Sequence, residues 1–222
     1  PAGLQFVTFD LANILIQSGI NSFGDVAVAA WTAYVKTDSL TWMISGAFGV
    51  SVTTFVGQNF GAQKYDRIKA GVRMGVLLSI LIHIPLSAVE IFGGKRIASL
   101  MVTDPPVLEL CGQYLLIVGI FVFFLGFLMV FRNCIQGMGN TWIPMLSGGL
   151  EVFSRLIFGY WLGRHSFMGI AAAEASAWIS VSIMLGSSFF ILFRKVLRTQ
   201  TPENTTDTKK HKNGFIKQEG TK

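Results

Sequence analysis

Four polar residues in the first apolar stretch have the types and spacing of a cation-binding surface. They are Asp10, Asn13, Gln17 and Asn21. At 100° per residue, this spacing keeps all four within an arc of about 80° on one helix face. A carboxylate among carbonyl and amide oxygens can hold a sodium ion or exchange a proton. The pattern predicts a face that lines a water-filled cavity, with Asp10 as the coupling residue, and interhelical hydrogen bonding is the alternative.

A second polar face lies in the fifth apolar stretch, where Glu151 and Arg155 are one helical turn apart. An acid and a base at this spacing neutralise each other within one helix. We therefore expect a structural ion pair. A pair that rearranges when substrate or ion binds is the alternative.

Lys36 and Asp38 precede the second apolar stretch. If the helix extends to include them, both lie near a cleft and could steer ions or substrate. If it does not, they are ordinary loop charges, which is the interpretation that the sequence favours.

Six apolar stretches must position these residues. Crossing ~30 Å of hydrocarbon takes roughly 20 helical residues, and 51% of the chain is hydrophobic while 14% is charged. A soluble bundle needs polar outer faces, but residues 115–131 carry no charge on any face. The sequence predicts an all-α integral membrane protein with one six-helix membrane domain over residues 1–198. The predicted spans are residues 3–22, 41–60, 74–92, 110–131, 143–162 and 168–193.

Basic residues predict the orientation, because Lys and Arg are retained on the cytoplasmic side of short loops. If the first residue is cytoplasmic, thirteen Lys and Arg lie inside and four outside. Both ends are then cytoplasmic in the plasma membrane, the inner membrane of a bacterial cell. Residues 199–222 are polar and basic without apolar periodicity, which predicts a disordered tail near anionic lipid. The net charge of +6 comes largely from this tail and the first inner loop, so nucleic acid is not an expected partner.

Glycines recur every seven residues in the fourth stretch, at Gly112, Gly119 and Gly126. This period holds them on nearly one helix face and predicts close approach of a neighbouring helix. His83 lies beside Pro85 in the third stretch, where a packing histidine at a kink is expected and a proton relay is the alternative.

Six segments, in order along the chain, resemble multidrug and toxic compound extrusion (MATE) transporters. One of them is GQNFGAQKYDRI at residues 57–68, which is similar to an inner loop of that family. The other five segments are PAGLQF (1–6), INSFGDVAVAAWTA (20–33), RNCIQGMGNTWIP (132–144), GLEVFSRLIFGYWLG (149–163) and AAAEASAW (171–178).

The resemblance implies that the chain is the carboxy-terminal lobe of a twelve-helix transporter, facing an amino-terminal lobe that this sequence does not contain. It implies export of amphipathic organic cations and drugs by alternating access, in exchange for sodium ions or protons and without a bound cofactor. It also places Asp10 one position beyond an acidic ion-site residue of one branch, which suggests a sodium site near Asp10. A lipid or polysaccharide flippase of related architecture is the alternative function.

An enzyme is not expected, because the sequence has no cluster of His, Asp or Glu at a membrane interface and no metal-ligand spacing. A channel is not expected either, because no repeated carbonyl filter or ring of charges is present.

Overall fold

The structure is a computed structural model that describes residues 13–14, 16–163 and 166–200. Residues 16–21 are helical, and six α-helices and two short π-helical segments follow. These are α1 (Asp25–Gly61), α2 (Tyr65–Ala88), π1 (Val89–Gly93), α3 (Gly94–Ala98), α4 (Pro105–Gly137), α5 (Trp142–Phe158), π2 (Gly159–Gly163) and α6 (Phe167–Gln200). Because π1 joins α2 directly to α3, these three elements form one continuous helical run.

Residues with special backbone or capping properties set the start of α4 and the turn between α4 and α5. α4 begins with Pro105, whose missing N–H group falls in the first turn, where no intrahelical acceptor exists. After α4, Gly139 has a φ of +82°, a left-handed conformation that glycine adopts without strain. The Asn140 side chain then accepts hydrogen bonds from the N–H groups of Trp142 and Ile143, both at 3.1 Å. These bonds satisfy donors of the first turn of α5.

The glycine face of α4 packs against the α2–π1–α3 run. A Cβ atom at Gly112 would have its nearest neighbour at 3.4 Å, and one at Gly119 would lie 3.1 Å from the Cβ of Glu90. At Gly126 it would lie 2.6 Å from Nδ1 of His83, closer than real Cβ atoms approach. The close helix approach predicted from the seven-residue period is therefore confirmed.

In the described part of the chain, four helical runs are long and apolar enough to cross a membrane. They are Asp25–Gly61, Tyr65–Ala98, Pro105–Gly137 and Phe167–Arg198. Each includes one of the spans predicted from the sequence, and α5 with π2 covers the predicted span over residues 143–162. The predicted first span and the predicted tail lie largely outside the described residues.

The prediction that Lys36 and Asp38 lie in a loop before the second span is wrong. α1 is 37 residues long and begins at Asp25, well before the predicted start at residue 41. Its first turns are rich in alanine, the best helix former, and Ala30 is fully buried. Packing therefore continues the helix through Lys36 and Asp38.

The carboxy-terminal part of α6 belongs to a separate compact unit, which begins at Ser187. Within this unit, the rings of Phe189 and Phe193 stack with their centroids 5.5 Å apart.

Candidate functional site

A chain of four charged side chains from α4, α5 and α6 lies buried in the protein. Glu151 accepts hydrogen bonds from Arg132 at 3.0 Å and from Arg155 at 3.1 Å, and Arg155 also reaches Glu174 at 3.3 Å. All four side chains are at least nine-tenths buried. Burial of charges is tolerable only when each has a partner. The two acids and two bases neutralise each other, and we call these four residues the ion-pair network.

Two tyrosines connect this network to α1. The hydroxyl groups of Tyr34 and Tyr114 lie 3.1 and 3.0 Å from the same oxygen of Glu174, Oε2. Their ring centroids are 4.3 Å apart, and Trp31 packs against both rings. The Tyr34 hydroxyl is also 3.2 Å from Oδ2 of Asp38. Tyr34 therefore bridges a neutralised acid of the network to a further acid.

Asp38 and Glu90 form a pair of buried carboxyl groups, which we call the acid pair. Their side chains face each other within hydrogen-bonding reach, and both residues are less than 5% exposed. The Thr41 hydroxyl donates to Oε1 of Glu90 at 2.5 Å. Oδ1 of Asp38 and Oε2 of Glu90 have no hydrogen-bond donor in the described part of the chain. No Lys, Arg or His of that part forms an ion pair with either acid.

Two cavities lie beside Asp38 and the ion pair of Arg155 with Glu174. The larger has a volume of about 910 Å³, and its wall includes Asp38, Trp31 and Trp42. The smaller has a volume of about 500 Å³ and is bordered by residues 16–23 and by α4, α5, π2 and α6. Arg155 and Glu174 line both cavities. Their ion pair is therefore part of the wall between the two cavities.

Three of the four polar residues predicted to share one face of the first stretch lie within the described residues. Asn13 and Gln17 line the larger cavity. Asn21 is exposed, is not among the lining residues of either cavity, and accepts a hydrogen bond from Gln17 at 3.1 Å. Asp10 lies outside the described residues, so its coupling role and the sodium site near it remain predictions.

Of the predicted site residues at the start of α1, Asp38 faces the larger cavity and Lys36 does not. Asp38 is buried in the wall of the larger cavity, whereas Lys36 is exposed and lines neither cavity. Residues two apart on a helix point to different sides, so one helix cannot aim both charges at one cleft. Glu151 and Arg155 form the ion pair that their spacing predicts, but Arg132 and Glu174 extend it into a network.

Sequence reasoning did not single out Glu90 and Glu174. Each is the only charged residue within a predicted membrane span, Glu90 in residues 74–92 and Glu174 in residues 168–193. Intramembrane acids are costly and are retained where they face protein or water. The same rule that pointed to Asp10 could therefore have found both.

The described residues contain no group of three or more His, Cys, Asp or Glu side chains that could hold a metal ion. His83 is fully buried, and its ring nitrogens contact Oγ of Ser45 at 2.9 Å and the carbonyl oxygen of Ser79 at 2.8 Å. Both nitrogens thus have partners, as in a packing histidine.

Known proteins similar to this chain are membrane transporters. The MatE family model matches residues 1–161. A probable multidrug resistance protein NorM from Thermotoga maritima is 24% identical over 185 residues, which cover 82% of this chain and 38% of that protein. A FAD transporter from Shewanella oneidensis is 30% identical over 140 residues, which cover 61% of this chain and 30% of that protein. The chain spans less than half the length of these curated relatives.

The fold is also similar to a solved transporter. The Vibrio cholerae MATE transporter VcmN in its bent form matches with a TM-score of 0.80 at 21% identity, over 88% of this chain and 45% of that one. The match covers one lobe of an all-α membrane protein. Members of this family are multi-pass membrane transporters, not enzymes. From the family model and the fold together, the chain belongs to the MatE family of multidrug and toxic compound extrusion transporters.

Proposed function

We propose that this chain is the carboxy-terminal lobe of an exporter of organic cations and drugs, which works by alternating access in exchange for sodium ions or protons. The wall of the larger cavity carries this proposal. It places the rings of Trp31, Tyr34 and Trp42 beside the carboxyl group of Asp38. Amphipathic cations are held by apolar contact, by aromatic faces and by a nearby negative charge.

A flippase for lipid or polysaccharide carriers is the second candidate, favoured by Arg132 and Arg155 in the same wall. Guanidinium groups bind phosphate through paired hydrogen bonds. In this chain both guanidinium groups contact Glu151, and Arg155 also contacts Glu174. Their charge is already neutralised, so we rank a phosphate-bearing substrate below an organic cation.

The proposal includes location and partners. The lobe lies in the plasma membrane, the inner membrane of a bacterial cell, with both ends in the cytoplasm. It is surrounded by lipid, and an amino-terminal lobe faces it across a central cleft that accepts amphipathic cations.

The test is efflux of a fluorescent organic cation from pump-deficient bacteria that express the complete reading frame. Sodium and proton gradients are dissipated in turn. We expect efflux that stops when one of the two gradients is removed. If the protein reaches the membrane and exports no cation, the exporter proposal fails and the flippase becomes the leading candidate.

Two variants locate the activity in this lobe. Trp31→Leu removes an aromatic face worth ~0.5–2 kcal/mol to a bound cation, so the apparent affinity should fall by about 2- to 30-fold. Trp142→Leu is the matched control, because Trp142 is 64% exposed and lines neither cavity. Asp10→Asn should abolish gradient-driven efflux with normal expression, and unchanged efflux would remove Asp10 from the mechanism.

A further inference from the structure

The acid pair places two carboxyl groups where two negative charges are poorly tolerated. Neither acid has a cationic partner within the described ranges, in contrast to Glu151 and Glu174 in the ion-pair network. The effective penalty for a buried, unpaired ion is several kcal/mol. Two carboxylates in contact repel each other as well, so one of them is ordinarily neutralised.

Counting hydroxyl protons leads to the same conclusion. Tyr34, Tyr114 and Thr41 supply one proton each. The close oxygen pairs around them number four: Tyr34 with Asp38, Tyr34 with Glu174, Tyr114 with Glu174, and Thr41 with Glu90. The contact between Asp38 and Glu90 is a fifth. The three hydroxyl protons serve the four hydroxyl contacts, because the one proton of Tyr34 lies between two acceptors. None is left for the contact between the two carboxyl groups, so that contact needs a proton from outside the hydroxyl groups.

We propose that the acid pair is a proton-binding site, in which Asp38 and Glu90 share one proton at the wall of the larger cavity. The pair carries one negative charge when the proton is bound and two after the proton leaves to water in the cavity. The site consists of residues other than Asp10, the residue near which the sequence predicts a sodium site. Its role in transport rests on the proposed exporter function, whereas the presence of the proton does not.

The backbone at Glu90 fits such a role. Glu90 lies in π1, a wider helical turn that interrupts the α2–π1–α3 run. π-Helical turns inside α-helices recur at functional sites, where they redirect a side chain. Gly119 of α4 packs against this side chain, since a Cβ there would lie 3.1 Å from the Cβ of Glu90 and 3.5 Å from its Oε2.

The charged and titratable groups around the pair do not supply a counter-ion. From α1 the neighbour is Tyr34, and from α6 it is Glu174, whose charge Arg155 neutralises. His83 of α2 is reached only through Ser45, which itself donates to the carbonyl group of Thr41. α4 presents Gly119 at this position.

A proton suits the site better than a metal ion. Hard cations take about six or more oxygen ligands, but the two carboxyl groups and the Thr41 hydroxyl together have five oxygen atoms. A shared proton needs only one oxygen from each carboxyl group, and each group has one buried oxygen without a donor, Oδ1 of Asp38 and Oε2 of Glu90.

Infrared spectroscopy of the purified complete protein tests the proton directly. A protonated carboxyl group has a carbonyl band that is separate from carboxylate bands and shifts in D₂O. We expect this band in the wild type at neutral pH and its loss in Glu90→Gln and in Asp38→Asn, since one amide replaces the protonated member of the pair. Glu109→Gln is the control, because Glu109 is exposed and paired with Lys95, and it should leave the band unchanged.

The outcomes separate clearly. The proposal is overturned if the wild type has no such band, or if the band persists in both variants. It is also overturned if the wild type shows the band only after sodium is withdrawn. Glu90→Gln mimics the protonated state in shape and charge, so it should elute from gel filtration as the wild type does. If it does not fold, Asp38→Asn decides the result by itself.

Transport by the same proteins tests the role of the site. We expect export by the wild type to follow the proton gradient, and export by Glu90→Gln to lose at least 90% of this dependence. Full dependence in Glu90→Gln would remove the pair from coupling. If the wild type exports nothing, the exporter function fails, and the infrared band still decides whether the proton is bound.

Discussion

Glu151→Gln should be among the most destabilising single-atom changes in this chain. Glu151 is 1% exposed, and its two oxygens accept separate hydrogen bonds from Arg132 and Arg155. Glutamine has nearly the same shape but only one acceptor oxygen. Its NH₂ group must therefore face one of the two guanidinium groups, and the buried charge is no longer balanced.

The size of the effect follows from the loss of one partner in a buried ion pair. Such a loss typically costs about 3–5 kcal/mol, because the remaining charge stays desolvated. For a domain of this size, ~1 kcal/mol corresponds to roughly 2–4 °C in Tm. We therefore expect the apparent Tm to fall by roughly 6–20 °C.

The assay is thermal unfolding of the detergent-solubilised complete protein, followed by loss of its gel-filtration peak. Glu109→Gln is the matched control, because it makes the same chemical change at an exposed ion pair with Lys95. Exposed pairs are screened by water and contribute little. A decrease in Tm for Glu151→Gln no larger than that of the control would refute the argument that the network is held by charge neutralisation.

Two further predictions concern packing and orientation. Gly126→Ala adds a Cβ atom 2.6 Å from Nδ1 of His83, so the free energy of unfolding should fall by roughly 1–3 kcal/mol. Gly149→Ala, whose Cβ would meet no atom within 4 Å, is the control, and equal losses would contradict the packing argument. Alkaline phosphatase fused after Lys222 should be inactive, because the thirteen to four excess of Lys and Arg predicts a cytoplasmic end. Phosphatase activity would overturn this orientation.

The helical architecture could be predicted because hydrophobic length and glycine period act locally. The glycines of α4 at seven-residue spacing identified a packing face that the structure confirms at Gly126 and Gly119. The start of α1 could not be predicted, since residues 25–40 are less apolar than a membrane span. Burial of Ala30 and Asp38 continues the helix there, and this burial depends on distant elements.

The site was predictable only where its partners share a helix. Glu151 and Arg155 lie one turn apart, so their pairing follows from spacing. Arg132 reaches Glu151 from α4, and Glu174 reaches Arg155 from α6, across 19 residues of sequence in each case. The acid pair joins residues 52 positions apart, and its Thr41 contact spans 49. No local pattern encodes such contacts.

Tyr34 connects the acid pair to the ion-pair network, because its hydroxyl group contacts both Asp38 and Glu174. Its single hydroxyl proton is placed between Asp38 and Glu174, at 3.2 and 3.1 Å. When the acid pair gives up its proton, Asp38 becomes the stronger acceptor and draws the Tyr34 proton toward itself. Glu174 then keeps only the hydrogen bond from Tyr114 and depends more on Arg155, the residue with which it separates the two cavities. The proposed release of a proton from the acid pair would thereby be transmitted to the wall between the cavities through one hydroxyl group.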